Sequence, residues 1–394
     1  MANESTTISA VENDTFIVST VFENFTDETS SSLTSGDTFT TVANLFQSTS
    51  FTTPYGTSTT LGDGRTFRFE DYTQRAIIGS LLCLVALSGF VGNVLVILAV
   101  ILSKKLQTST NAFVVNLATA DLITCITSPF SAVALFSMNG YPLPELVCSV
   151  SAAIYFITLG CSIMNLTTIA INRYILITKS MQTYQSIYTP KKIAAMMVMT
   201  WLYPTLVCSL PLFGIGKWGY SDKYKTCAEV NSAKFSDLFS QLGSALIFPI
   251  PLIILFVCYF KIYRHITGHM KKMMGEGIEM SDSSNRSSTS STHQLHRKRA
   301  ESFSKRQVEI TNNLFIVVCA FVVCFAPFAV ALMIPNSDPA IPWTGMFASF
   351  NSAVNPVIYG VKHPHFKEVF RHMLRCRYHM IPEPSSCLRK MRST

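Results

Sequence analysis

Residues 77–102 read IIGSLLCLVALSGFVGNVLVILAVIL, a run with no charge in it, followed at once by Lys104 and Lys105. A bilayer core needs about 20 mainly apolar residues per helix, because lipid offers no hydrogen-bond partners and only a helix pairs its own backbone. The same measure finds six further spans, at residues 112–138, 147–178, 193–213, 238–262, 314–334 and 343–359. The composition agrees: of 394 residues 48% are apolar and only 14% charged, against roughly 25% charged in a soluble domain. The expected fold is all-α, a seven-helix transmembrane bundle.

Orientation follows from the basic residues in the connections. With the N-terminus outside, seven Lys and Arg face outward (Arg65, Arg68, Arg75, Lys217, Lys223, Lys225, Lys234) and the remaining 24 of 31 face inward. Acidic residues sort the opposite way, fifteen outside and seven inside, with one carboxylate, Asp121, at membrane depth. The net charge of +8 therefore points to an anionic inner leaflet and a cytoplasmic partner and gives no support to nucleic-acid binding. Residues 1–74 are rich in Ser, Thr and Asn with sequons at Asn3, Asn13 and Asn24, which reads as a disordered, glycosylated outer tail. No apolar h-region opens the chain, so no cleaved signal peptide is expected. Residues 268–305, Ser-rich with a basic run, read as a disordered loop between spans five and six, and 377–394 as a cytoplasmic tail.

Several short motifs fall one to a span: GNVL at Gly92 to Leu95, LATADL at Leu117 to Leu122, NRY at Asn172 to Tyr174, Trp201, Pro251 with Tyr259, CFAP at Cys324 to Pro327, and NPVIY at Asn355 to Tyr359. In that order they resemble the rhodopsin-like (class A) family of G-protein-coupled receptors over residues 75–376. The nearest motif match is to melatonin-receptor-like and related invertebrate orphan receptors. The resemblance implies a plasma-membrane receptor that converts binding of an extracellular small-molecule, lipid or peptide ligand into nucleotide exchange on a heterotrimeric G protein. It points to the inhibitory class of G protein, and to arrestin and receptor kinases as further partners.

Residue by residue, it implies that Asn172, Arg173, Tyr174, Tyr259, Tyr359, Asn355 and Pro356 form the coupling and activation switch. Pro251, Ile163 and Phe321, with Phe325, match the packing switch below the ligand. Asp121, Ser162, Asn351 and Asn355 match positions that hold a sodium ion, a hard cation suited to oxygen ligands; no other cofactor is expected. Cys148 and Cys227 match a disulfide between span three and the second outer loop. Residues 363–374 match a short amphipathic eighth helix on the inner leaflet, with Cys376 beyond it as a palmitoylation site.

The sequence also departs from the commoner pattern. Asn172 replaces the usual acid before the arginine, and Gln307 stands where an acid near the start of span six would be, so a charged lock on Arg173 is not expected and ligand-free signalling is. The pocket candidates are Tyr155, Ile247, Phe325 and Ser349. Tyr155 stands where receptors for charged amines carry an Asp, which argues against a charged monoamine. Ser349 stands where opsins carry the retinal lysine, which argues against a Schiff base. Trp218, Tyr220 and Tyr224 suit a lid in the outer loop. Two readings compete, a membrane transporter and a constitutively active orphan receptor without a diffusible ligand. A transporter needs matching broken spans in two halves, and no internal repeat is visible. An enzyme is not expected, since neither H-E-x-x-H nor G-x-S-x-G occurs.

Overall fold

A computed structural model describes residues 67–279, 291–334 and 337–393, with side chains there except at 237, 269–279, 291–309 and 391–393. The three sequons lie outside these residues, as do the side chains of Gln307 and its neighbours. The described residues belong to one unit, Thr66–Thr394.

The helices follow the spans, with the ends moved by capping and proline chemistry. Helix α1, Tyr72–Leu102, starts earlier than its apolar run because the Asp71 carboxylate caps the backbone N–H groups of Thr73 and Gln74. Helix α2, Ser109–Phe136, is capped by the Thr108 hydroxyl, and α3, Glu145–Thr178, is followed by the short α4, Met181–Ile187. Helix α5, Pro190–Cys208, begins with proline, whose missing N–H costs nothing in a first turn. The fifth span is broken into α6, Ser236–Ile247, and α7, Pro249–Glu279. Pro249 and Pro251 cannot donate to the preceding turn, which opens the helix at Phe248. Helices α8, Ser291–Met333, α9, Ile341–Lys362, and α10, Pro364–Leu374, complete the order.

Six of these segments are long and apolar enough to cross a membrane. The seventh span, α9, carries Asn351, Ser352 and Asn355, all buried inside the bundle. The outer faces carry apolar side chains: Leu87 is 66% exposed, Val198 62% and Val323 72%. In water such faces would be a liability; in hydrocarbon they are the solvated surface.

Two sequence expectations are corrected. The bundle does not begin at residue 75: Phe69 is buried, and its N–H donates to the Lys223 carbonyl at 2.8 Å. Residues 268–279 and 291–305 are helical extensions of α7 and α8, so a loop spanning 268–305 is too long. The Ser and Lys content hid the helical continuation, since charge there reflects exit from the lipid and not loss of helix.

Residues 377–393, within the stretch read as a cytoplasmic tail, pack against the end of α1. Lys104 N–H donates to the Glu383 carbonyl at 2.8 Å and Ser385 N–H to the Leu102 carbonyl at 2.9 Å, an isolated antiparallel bridge between Ser103 and Pro384. Ile381 and Leu388 are buried against the same core as Leu102, Leu106, Phe366 and Met373. Helix α11, Ser386–Ser393, follows, its first turn capped by the Ser385 hydroxyl. Leu388→Ala is expected to cost about 2–5 kcal/mol of local stability. Amide exchange over residues 381–390 should then quicken while that of α3 stays unchanged; equal exchange in both proteins would mean that the segment is not held by this contact.

Candidate functional site

Helix α3 runs through the middle of the bundle and touches every layer of the site. At one end, strands β1, Trp218–Ser221, and β2, Thr226–Glu229, pair antiparallel with Trp218 opposite Glu229 and Tyr220 opposite Cys227. The Cys148–Cys227 disulfide is formed and ties β2 to the start of α3 across a separation of 79 residues. Lys225 takes the left-handed conformation that the hairpin turn requires.

Charges lace this hairpin to its surroundings. Lys225 pairs with Asp222 at 2.7 Å and with Glu70 at 3.2 Å, Lys223 with Asp338 at 2.6 Å, and Arg68 with Asp222 at 3.1 Å. The hydrogen bond from Lys225 holds the Asp222 carboxyl below the usual carboxylate range. Partial burial pushes the Asp338 carboxyl upward, but hydrogen bonds from Lys223 and Tyr224 outweigh it and leave the group low.

Beneath the hairpin lies a cavity of about 190 Å³. Tyr155, Ile247 and Ser349 line it as the sequence suggests, and so do Trp218 and Tyr224 of the expected lid. Phe325 does not: it is 1% exposed and packs under Phe248, ring centroids 4.4 Å apart, and beside Phe328, and those two rings form the wall. Tyr220 also turns away, stacking on Tyr141. The Tyr155 and Ser349 hydroxyls lie 2.9 Å apart and bond to each other across α3 and α9. Phe156 stacks on Trp218, and Phe239 meets the same indole edge-on, each at 5.0 Å. Sequence reading missed Phe239 of α6, Phe248 and Glu229 of β2 as lining residues, because only the packing of α6 and the hairpin over the bundle brings them to the cavity.

Below the cavity, Phe325 stacks on Phe321, and Phe321 and Ile163 are fully buried. Pro251 is buried with them, its carbonyl accepting from the Thr167 hydroxyl at 3.3 Å. Ile163 and Phe321 thus lie in one continuous core, which Phe325 and Phe248 extend to the cavity wall.

At the same depth Asp121 accepts three hydrogen bonds, from the Ser162 and Ser352 hydroxyls at 3.1 Å each and from Asn355 Nδ2 at 2.8 Å. Ser352 was missed by sequence reading although it lies between the two named asparagines. Asn351 is buried but is not a donor to Asp121. Asn93 donates to the Gly89 and Ser352 carbonyls instead. The side-chain oxygens of Asn93, Asn351 and Asn355 are buried with no hydrogen-bond partner. A carboxylate among orphaned neutral oxygens is a donor set suited to a hard monovalent cation, so the residues present fit a sodium ion.

At the far end of α3, Asn172 accepts from the Thr110 hydroxyl at 2.6 Å and donates to the Tyr184 hydroxyl at 3.1 Å. It joins α3 to α2 and α4, a structural use of the NRY asparagine that spacing could not reveal. Arg173 is 5% exposed and lies within electrostatic reach of Tyr259 and Tyr184. Tyr174 lies under the Lys261 ammonium. Tyr259 and Tyr359 are buried, each hydroxyl without a hydrogen-bond partner. Tyr359 and Pro356 sit on the inner face of α9, where Tyr359 stacks on Phe366 of α10. Cys376 is exposed just past α10.

The family model for the seven-transmembrane receptor (rhodopsin family) matches residues 92–359, well over half of the chain. The chain belongs to the rhodopsin family of seven-transmembrane receptors. It is therefore a multi-pass membrane protein and a G-protein-coupled receptor, and not an enzyme. It is 30% identical over 323 residues to the alpha-1A adrenergic receptor of Oryzias latipes, covering 76% of this chain and 67% of that one. It is 31% identical over 316 residues to a Gq-coupled rhodopsin of Mizuhopecten yessoensis, covering 74% and 58%. Among such curated relatives the chain spans between 56% and 71% of their length. The crystal structure of squid rhodopsin has the same fold, with a TM-score of 0.66 and 23% identity over 77% of this chain and 86% of that one.

Proposed function

We propose that this receptor stands in the plasma membrane with its N-terminus and hairpin outside, and that a ligand entering the cavity under the hairpin drives nucleotide exchange at the Arg173 end. The observation that carries the reading is the ring column from the cavity wall inward: Phe248 on Phe325 and Phe325 on Phe321, in one core with Ile163. A ligand that moves Phe248 has to repack that column, because close-packed interiors do not deform gradually. The Tyr155 to Ser349 hydrogen bond occupies both the amine-anchoring and the retinal-anchoring positions with neutral hydroxyls. A charged monoamine held on α3 and a Schiff base on α9 are both disfavoured.

Sodium belongs to the same proposal. Asp121, Ser162, Ser352, Asn351 and Asn355 would hold it, and its charge would favour the resting packing. The inhibitory G protein, arrestin and receptor kinases, glycosylation at Asn3, Asn13 and Asn24, and palmitoylation at Cys376 are carried by the family likeness and the sequence. The full chain, co-expressed with a panel of G-protein biosensors and screened against ligand libraries, should raise exchange on at least one G protein. Arg173→Ala is expected to lower that response, and any ligand-free signal, at least tenfold at equal surface abundance. A full response from the variant would place coupling elsewhere.

A further inference from the structure

A groove of about 430 Å³ opens on the outward face of the bundle where α3, α4 and α5 meet. Met164 and Thr168 of α3 form one side and Met196 and Met199 of α5 the other, while Ile187, the last residue of α4, closes one end beside Lys192. Val198 and Met199 are exposed, so this face of α5 meets hydrocarbon.

The closed end is positive. Lys191 and Lys192 stand exposed there in the first turn of α5. No Asp or Glu occurs between Glu145 and Asp222, and among the described residues neither lysine pairs with a carboxylate. The same turn lacks a side-chain cap, so the positive end of the helix dipole adds to the two ammonium groups. Lys192 Nζ donates to the Ser186 carbonyl at 2.8 Å. An ammonium has three donors, so that bond leaves capacity for an anion. Met199 lies two turns further along α5, about 10 Å deeper by helical rise. The groove is therefore positive at its mouth and apolar along its length.

Resting on the reading that this end of the bundle faces the cytoplasm, we propose that the groove holds one anionic phospholipid of the inner leaflet. Its phosphate lies at Lys191 and Lys192, and one acyl chain runs along Met164, Met196 and Met199. The lipid thereby acts on α4. That helix has seven residues, none of them buried, and helices so short do not stand alone in water. It is tied by Lys192 at Ser186 and by Asn172 at Tyr184. A headgroup that fixes Lys192 therefore also steadies a partner of the NRY asparagine.

The test uses the purified full-length receptor in nanodiscs of phosphatidylcholine, with and without phosphatidylglycerol. The acidic lipid is expected to slow amide exchange over Met181–Ile187 severalfold. Two independent changes should abolish the slowing, each compared with its own value in phosphatidylcholine. Lys191→Gln with Lys192→Gln removes the charge and keeps an N–H donor for Ser186, and Ala195→Trp fills the groove and keeps the charge. If one of them does not fold, the other decides. Lys104→Gln with Lys105→Gln, an equal loss of charge at the end of α1, should leave the slowing intact. Exchange indifferent to phosphatidylglycerol, slowing that survives a folded groove variant, or equal loss in the Lys104 and Lys105 control would overturn the proposal. Soluble glycerol phosphate added to phosphatidylcholine discs should do nothing, because it has no chain; the same slowing would refute a lipid. Discs offer the acidic lipid on both faces, so these outcomes do not depend on orientation. An antibody that reaches a C-terminal tag on intact cells would refute the cytoplasmic reading and leave the groove's lipid assignment to the disc results.

Discussion

Asp121→Asn is expected to leave a folded receptor whose thermal midpoint no longer responds to sodium, measured in sodium chloride against choline chloride at equal ionic strength. The wild-type carboxylate accepts from two hydroxyls on Oδ1 and from the Asn355 amide on Oδ2. Asparagine keeps one acceptor for the serines but presents an NH2 toward the Asn355 NH2. The conflict is relieved if Asn355 turns its amide, because its own oxygen has no other partner to lose. The fold therefore survives, while the negative charge that would hold a cation is gone. Asp121→Ala is the harsher change: Ser162, Ser352 and Asn355 lose their acceptor together, at about 1–3 kcal/mol for each donor left unsatisfied. That variant is expected at the cell surface in sharply reduced amount. A sodium-dependent midpoint in Asp121→Asn equal to the wild type would refute the assignment of the site.

Gly160→Val should be among the most damaging single substitutions outside that network. A Cβ at Gly160 would lie 2.7 Å from Pro204 Cβ and 3.2 Å from Ile247 Cγ2. Pro204 is part of the α5 backbone ring and cannot rotate away, so the helices must separate. Overpacking of this kind costs about 1–3 kcal/mol and sometimes more, here where α3 crosses α5 and touches a cavity-lining residue. The control is Gly243→Ala, which meets no atom within 4 Å. There the better helix propensity of alanine predicts a neutral to slightly stabilising change of up to about 1 kcal/mol. Equal thermal midpoints for the two variants would show that the α3 to α5 crossing is not close-packed.

The seven spans were legible because lipid imposes one rule on every residue in it: the backbone must be paired within the segment and the side chains facing out must be apolar. A run such as residues 77–102 satisfies that rule by itself. The motif residues were legible for a related reason, since a polar group at membrane depth, such as Asp121, has to face the interior. The disulfide partners followed from the family likeness and are joined in the fold. Other features depend on residues far apart in the chain. Ser352 became a partner of Asp121 only when α9 was docked against α2, and Phe325 was placed under the cavity wall by Phe248, which sits at the break between α6 and α7.

Sequence alone thus determined the apolar spans, the family and the residues at membrane depth, because those follow from local hydropathy and short-range spacing. The tertiary structure decided what those residues touch: the Tyr155 to Ser349 bond, the three donors on Asp121, the bridge from Ser103 to Pro384, and the place of Glu229 beside Trp218. Each of these joins segments with no shared local pattern. Only the packing of one helix or strand against another fixes which polar group finds which partner.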